Sequence, residues 1–482
     1  MSAAPPGARP DVLPGSLLDV LRSALAGGGA LITDPDAMGG HTRDMMPLAP
    51  HGRPVAVVLP SSAEQVRACV RACAAAGVPI VPRGAGTGLT GAANAVDGCV
   101  VLATTRMNRI LEIDPDNRLA VVEPGVVNQD LKTAAAAHGL HYPPDPSSLD
   151  TCTLGGNLAT NAGGLCCGKY GVTADYVLGL EAVLADGTLL RTGRRTVKGV
   201  AGYDLTRLLV GSEGTLGIIT RATLALRPLP SAPGTVVAAF DSVARAGASV
   251  NRILRAGLVP SLMEIMDATS LRASAAFLGT DLVGEGDQAL LMCQTDAPEP
   301  VREAELDLME RVFRQAGAVY THATQDAAEG ALLLRARRVS LTALEARGAC
   351  MTEDVAVPRT RIAELIDGCT RIGAEAGLTV AVVGHAGDGN MHPTVLYDGS
   401  DAAQYARART AFDAILALAL SLGGTITGEH GVGKLKQDWL ERELGPVALR
   451  VHHALKDALD PAGLLNPGAV LARRPAGTRR AD

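Results

Sequence analysis

The sequence predicts an α+β protein of more than one domain, and three observations carry that prediction. At 482 residues the chain is too long for one ordinary core. It opens as strand, helix, strand, followed directly by a glycine-rich loop at 83–91. Near residue 230 the composition changes: glycine clusters stop, and Ala/Leu/Arg-rich helices alternate with strands up to about Leu422. Hydrophobic residues make up 47%, ample for packed interiors, but only 2% are aromatic, so aliphatic side chains must fill them.

The elements follow in order. Leu17–Leu25 has the spacing of a short amphipathic helix, and 55–60 reads as a strand. Ser61 and Ser62 stand ahead of Glu64 and Gln65, a capping-box pattern that opens a helix through about Ala76, with Gly77 to end it. Residues 79–82 form the next strand. Further strands are expected at 98–103, 110–113, 119–123, 178–184, 188–190 and 218–226, with Asp114-Pro115-Asp116-Asn117 and Asp186-Gly187 as turns. A helix is expected over 128–138, stopped by Gly139. Domain boundaries are expected after 50, 230 and 471: an N-terminal helical segment (1–50), a glycine-rich domain (51–230), a second α+β domain (231–471) and a flexible tail (472–482).

Charge narrows the function classes. With 44 basic and 50 acidic residues the net charge is −6, which gives no electrostatic case for nucleic acid. Arg473, Arg474, Arg479 and Arg480 read as a frayed tail. The nine cysteines have no framework spacing and no CxxC pair, so the chain reads as reduced and cytoplasmic, without an iron–sulfur cluster. The vicinal Cys166–Cys167 reads as structural. The apolar stretch 411–422 is too short to span a bilayer and contains Asp413. Peripheral attachment to the inner membrane through a partner is compatible with this.

The glycine-rich half carries the first chemistry. Arg83-Gly84-Ala85-Gly86-Thr87-Gly88-Leu89-Thr90-Gly91 has four glycines in nine residues, so backbone N–H groups can approach a pyrophosphate unobstructed. It departs from a dinucleotide fingerprint at Thr90, and alone it fits a plain turn-rich loop equally well. Two further segments share its character: 153–164, with two Gly-Gly pairs and two Asn, and 211–220. Three such loops in one domain suggest a long cofactor along a backbone-lined channel.

Together with Pro143-Pro144-Asp145-Pro146 and Lys169-Tyr170-Gly171, these segments resemble the FAD-binding domain of the vanillyl-alcohol oxidase / p-cresol methylhydroxylase (PCMH) superfamily over roughly residues 50–228. The resemblance implies a two-subdomain PCMH-type domain, an α+β cap (substrate) domain and a C-terminal segment returning to the flavin. It implies that Pro82, Arg83, Gly84, Ala85, Gly86, Thr87 and Gly88 wrap the pyrophosphate. It places Pro144, Asp145, Gly155, Gly156, Thr160, Gly163, Gly164, Tyr170, Gly171, Glu213, Gly214, Gly217 and Ile219 along the rest of FAD. Some relatives attach flavin to a histidine of the first loop; none stands there, so FAD is expected to be non-covalent.

The second constellation lies far downstream. Gly384-His385-Ala386-Gly387-Asp388-Gly389-Asn390-Met391-His392 follows a strand-like run, and its glycines permit a turn that brings two histidines together. Gly428-Glu429-His430-Gly431 adds a carboxylate and a third imidazole. A lone loop histidine usually just bonds nearby backbone, but His385, His392 and Glu429 form a His₂Glu set suited to a divalent ion with an open position. Both segments resemble the D-2-hydroxy-acid dehydrogenase branch, which includes D-lactate dehydrogenase, D-2-hydroxyglutarate dehydrogenase and the corresponding chain of glycolate oxidase. The resemblance implies that His385, His392 and Glu429 bind zinc or manganese, and that His430 is the base. Asp388 is expected to brace the turn or to support a metal ligand from behind. Arg338, with Arg335 as the alternative, is expected to grip a substrate carboxylate, with Thr342 assisting. Thr352 stands where dicarboxylate-using relatives have lysine, which favours a small monocarboxylate. Ala469 stands where many relatives have a lysine, so no flavin contact is carried over there.

The implied reaction is FAD-dependent oxidation of a small D-2-hydroxy acid. Electrons are expected to leave through a partner subunit, an electron-transfer protein or a quinone, and a homodimer is allowed. The rivals are a redox-neutral flavoenzyme of the alkyl-glycerone-phosphate synthase type, which gives no reason for the His₂Glu set, D-2-hydroxyglutarate dehydrogenase, and a non-catalytic flavoprotein within an oxidase complex.

Overall fold

The computed structural model describes residues 15–472, apart from 281–283, 285 and 287. The basic run from Arg473 to Arg480 lies outside the described residues.

The opening strand–helix–strand is a parallel unit. Strands Ala56–Leu59, Val100–Ala103 and Ile80–Arg83 run parallel, with the short Ala30–Ile32 antiparallel on the outer edge. The connecting helix, Ala63–Ala76, starts where the Ser62 side chain accepts from the Gln65 N–H and ends at Gly77, φ 66°. Gln65 also donates to the carbonyls of Leu25 and Ala26, which ties the first helix, Gly15–Ala24, to this one. A second, antiparallel sheet of five strands runs Ile110–Asp114, Leu119–Val122, Ile218–Ala225, Val177–Val183, Leu189–Gly193. The first glycine segment joins two strands of the first sheet, and the other two lead into strands Val177–Val183 and Ile218–Ala225 of the second. Leu154–Thr160, expected only as a cofactor-binding segment, forms a short helix that Asn161 ends at φ 54°.

The second half is built on one antiparallel sheet. Its order is Tyr320–Thr324, Gly234–Phe240, Ala289–Thr295, Leu262–Asp267, Thr379–His385, Asn390–Tyr397, Ala349–Thr352, with Val355–Ala356 also pairing the Asn390–Tyr397 strand. One face packs on the helices Val243–Arg255, Val301–Gln315, Ile362–Ala376 and Ala402–Ser421, through residues such as Val236, Ile265, Phe313 and Leu416. Phe240 and Phe313 meet edge to face at 6.1 Å, a rare aromatic pair in a core of Val, Ile, Leu and Met. The other face turns toward the glycine-rich half, where Leu165 packs against Leu262, Met266 and Val383. Period-two alternation therefore sends Met263 and Ile265 to the helices and Glu264 the opposite way.

The C-terminal segment returns to the first sheet. Ile80 N–H donates to Leu464 and the Asn466 N–H donates to Ile80, which adds 464–466 beside the strand that feeds the first glycine loop. Leu465 is buried in that core, and Lys456 donates to the Thr215 carbonyl at 2.7 Å.

Candidate active site

A cavity of about 480 Å³ lies between the two sheets of the glycine-rich half. Pro82 through Thr90, Gly155, Gly156, Thr160, Gly163, Glu213, Gly214, Gly217 and Ile219 line it, and Asn466 of the returning segment closes one side. The glycines are needed because backbone packs on backbone or on short side chains here. A Cβ on Gly155 would stand 2.6 Å from Pro124 Cβ, and one on Gly84 would strike Thr153 Oγ1. Three buried polar atoms of lining residues, Thr90 Oγ1, Thr153 Oγ1 and Asn466 Oδ1, have no hydrogen-bond partner among the described residues.

Not every sequence-predicted cofactor residue sits on that wall. Arg83 lines the cavity, but its guanidinium folds beneath Gly86 and donates to the carbonyls of Gly40 and Ala93. Pro144 and Asp145 are set back. Lys132 holds the Pro143 carbonyl, Asp145 accepts from the Cys166 N–H, and Gly164 packs on the Asp145 backbone. Tyr170 donates its hydroxyl to Asp296, with Lys169 on the other oxygen of the same carboxylate, so this pair ties the two halves together. Gly171 packs against Asp175 at φ 82°. Glu213 is buried, and its carboxylate accepts from the N–H groups of Val432 and Gly433 at 2.8 and 2.9 Å. Burial raises its pKa to about 7 against those two hydrogen bonds.

At one end of the cavity stand Glu429 and His430. Sheet register brings the other two histidines to them. His385 ends one strand and pairs with Asn390, while His392 pairs with Val383. Val383 and His385 share a face, so the two imidazoles lie diagonally across it. Gly389, at φ 92°, makes the hairpin turn, and Asp388 braces it by accepting from the Asn390 N–H. Nε2 of His385 and Nε2 of His392 are 3.3 Å apart, and each reaches Glu429 Oε1, at 3.5 and 3.3 Å. His430 stacks on His392 at 5.3 Å, with its Nε2 3.8 Å from the same carboxylate. A Cβ on Gly163 would lie 2.7 Å from Glu429 Oε2, so cradle and cluster touch.

Carboxylates not singled out in the sequence hold this cluster. Glu264 is the cross-strand neighbour of His385. It accepts from His385 Nδ1 at 2.6 Å and from Arg337 Nε at 2.7 Å, which aims His385 Nε2 at Glu429. Asp354 lies beneath the 427–430 turn. Burial opposes charge on His385, but Glu264 and Glu429 outweigh it and hold its pKa well above the ordinary value. Burial likewise opposes ionised Glu429, and His385 and His392 hold it well below the ordinary range. For His430 burial prevails over the Asp354 and Glu429 charges and lowers the pKa, which favours the neutral imidazole.

Of the arginine-rich segment, Arg337 is committed to Glu264, while Arg335 and Arg338 are exposed without an ion-pair partner among the described residues. Thr342 is exposed too; its neighbour Leu341 lines the cavity. Thr352 bonds Thr394 across the sheet at 3.1 Å, and Ala469 is buried.

Known proteins show the same two halves. Residues 229–470 match the C-terminal domain of FAD-linked oxidases, and residues 54–193 match an FAD-binding domain. The glycolate oxidase subunit GlcD of Bacillus subtilis is 41% identical over 421 residues, 87% of this chain and 89% of its own. This chain belongs to the FAD-linked oxidases. A D-lactate dehydrogenase of Anaerostipes hadrus is 36% identical over 437 residues, covering 89% of this chain and 92% of its own. Among solved structures, p-cresol methylhydroxylase superposes with a TM-score of 0.77 at 21% identity, over 95% of this chain and 98% of that one. An alkyldihydroxyacetonephosphate synthase gives 0.73 at 19%, over 97% and 87%. These two likenesses establish the PCMH-type fold.

An FAD-linked oxidase must hold FAD, and the cavity fits it. Its wall is glycine backbone with partnerless buried Thr153 and Asn466 oxygens, and it ends at His430. The donor atoms of His385, His392 and Glu429 lie within 4.8 Å of one another, a set that suits a divalent ion, and Asp354, His392 and His430 form a second such group. Among the described residues no helix is long and apolar enough to cross a membrane.

Proposed function

We propose that this chain oxidises a small D-2-hydroxy acid, of the glycolate or D-lactate type, to the 2-oxo acid at a non-covalent FAD. The observation that carries this reading is that Glu429 and His430 belong to two constellations at once: they line the cofactor cavity and they meet His385 and His392. When bound, FAD accepts a hydride equivalent, and zinc or manganese held by His385, His392 and Glu429 supplies Lewis acidity. The relatives act in name on glycolate or D-lactate, which agrees with that chemistry.

The chain's own groups have these roles. His430 takes the substrate hydroxyl proton; its lowered pKa favours the neutral imidazole, which has one nitrogen able to accept it. Arg338, or Arg335, pairs with the substrate carboxylate, since Arg337 is spent on Glu264. Thr342 assists beside Leu341. With Thr352 bonded to Thr394 and no lysine there, that position offers a second carboxylate no counter-charge, which favours a monocarboxylate over 2-hydroxyglutarate. Electrons then leave to a partner subunit, an electron-transfer protein or a quinone; the Bacillus relative is itself one chain of a larger oxidase by name. Residues 51–230 and 231–471 act as cofactor and substrate domains. The redox-neutral alternative shares the fold but gives the His₂Glu set no task.

Anaerobic mixing of the flavin-loaded protein with glycolate, D-lactate and D-malate tests the reading. Bleaching of the flavin by at least one of them is expected, and an unbleached flavin with all three would overturn it.

A further inference from the structure

We propose that Asp354 is a positioning residue for Glu429 and His430: its buried carboxylate gathers the backbone N–H groups of the turn that carries both. The inference rests on the reading above, in which those two side chains work together.

A single oxygen, Asp354 Oδ2, accepts from Gly428 N–H at 2.9 Å, Glu429 N–H at 3.0 Å, His430 N–H at 2.8 Å and the Thr427 hydroxyl at 2.6 Å. Three successive N–H groups that converge on one point form a concave nest, a backbone shape that needs an anion at its centre. No regular helix or strand would satisfy those donors in this place. Thr427 adds a second fastening, because its hydroxyl also accepts from the Gly431 N–H at 3.0 Å.

Asp354 is itself held rigidly. Its other oxygen, Oδ1, accepts from Asn390 Nδ2 at 2.7 Å. The same amide also donates to the Val355 carbonyl, so Asn390 cannot turn round. Buried Lys436 donates to the Asp354 carbonyl and to the Ile426 carbonyl, at 2.8 and 2.6 Å, and pairs with Glu353 at 2.7 Å. Asn390 begins the strand of His392. One carboxylate thus joins the strand that carries His392 to the turn that carries Glu429 and His430. Asp354 is absent from the cavity wall; besides the backbone it holds, its Oδ1 lies 4.0 Å from His392 Nδ1.

The test uses Asp354→Asn in the FAD-loaded full chain. An amide at 354 must turn its NH₂ either toward Asn390 or toward the three N–H groups, and both directions set donor against donor. Hydrogen exchange at the amides of 428–430 is expected to speed up at least about tenfold, with exchange in the glycine cradle unchanged. Zinc affinity, read by chelator competition, is expected to fall by about 10–100-fold. The limiting rate of flavin reduction is expected to fall by about the same factor, with substrate dissociation constant and FAD content near wild type. Wild-type exchange at 428–430 together with wild-type zinc affinity would overturn the proposal. So would a joint loss of FAD, thermal stability and rate, which marks a merely structural residue. Thr427→Val provides a milder variant should Asp354→Asn not fold: faster exchange at 428–431 supports the proposal, and unchanged exchange overturns it. If no hydroxy acid reduces the wild-type flavin, the functional reading fails, yet the exchange and zinc measurements still decide the role of Asp354.

Discussion

The cofactor cavity and the histidine–glutamate cluster touch at Gly163 and Glu429, but they are made of different material. The cavity is walled largely by backbone, in short glycine-rich segments each continuous in sequence. The cluster is all side chain, drawn from a hairpin, a distant turn and carboxylates on two other segments. Backbone recognition requires that nothing protrude; side-chain recognition requires that several groups be aimed. The first is therefore sensitive to an added methyl group, and the second to a lost buried partner.

Substitutions should separate the two regions. The largest effect is expected from His430→Ala. Stopped-flow reduction of the flavin by substrate should slow by about 10²–10⁴, the usual worth of a general base. The flavin absorbance after desalting should be unchanged; loss of FAD in this variant would show that cluster and cradle are one unit.

Glu213→Gln comes next, since Glu213 links the two regions through Val432 and Gly433. Burial raises its pKa from 4.5 to about 7 in the folded chain, so the native state binds that proton more tightly than the unfolded one. Its contribution is complete below about 4.5 and is lost as pH rises through 7. By linkage this amounts to roughly 3 kcal/mol at most. Melting temperature plotted against pH across that window should be flatter in the variant; a parallel curve would refute the assignment.

Gly155→Ala tests the cradle. The new Cβ meets Pro124 Cβ at 2.6 Å and the Pro124 carbonyl at 2.9 Å, a clash of backbone and ring that cannot swing away. Overpacking of this kind costs about 1–3 kcal/mol. The flavin-to-protein absorbance ratio should fall while zinc affinity holds. The smallest effect is expected from Tyr170→Phe, which removes one hydrogen bond to Asp296, worth about 1.5 kcal/mol. Chemical denaturation should register that loss with full FAD retention, and loss of FAD instead would return Tyr170 to the cofactor.

Local rules made much of this chain legible from its sequence. The Ser62 cap, the Gly77 stop, the glycine loops and the hairpin that joins His385 to His392 depend on neighbours in the chain, and they stand within a residue or two of where the pattern puts them. The return of the C-terminal segment to the cofactor half was expected from the family resemblance, and the 464–466 pairing with Ile80 is how it happens. The helix at Leu154–Thr160 was not expected, because paired glycines disfavour helix on propensity alone and tertiary packing overrides that.

The sequence by itself determined which residues could do chemistry: glycine loops free of side chains, two histidines in one hairpin, and a Glu-His pair. Only the tertiary structure decided what holds them. Glu264 reads in the sequence as one charge inside the apolar run 262–266, and Asp354 as one of two adjacent acids; neither spacing points to a partner. Sheet register sets Glu264 across from His385, and burial forces Asp354 to find donors in a turn some seventy residues downstream. A buried carboxylate must be satisfied by whatever the fold brings to it, and that is a property of three-dimensional packing rather than of local sequence.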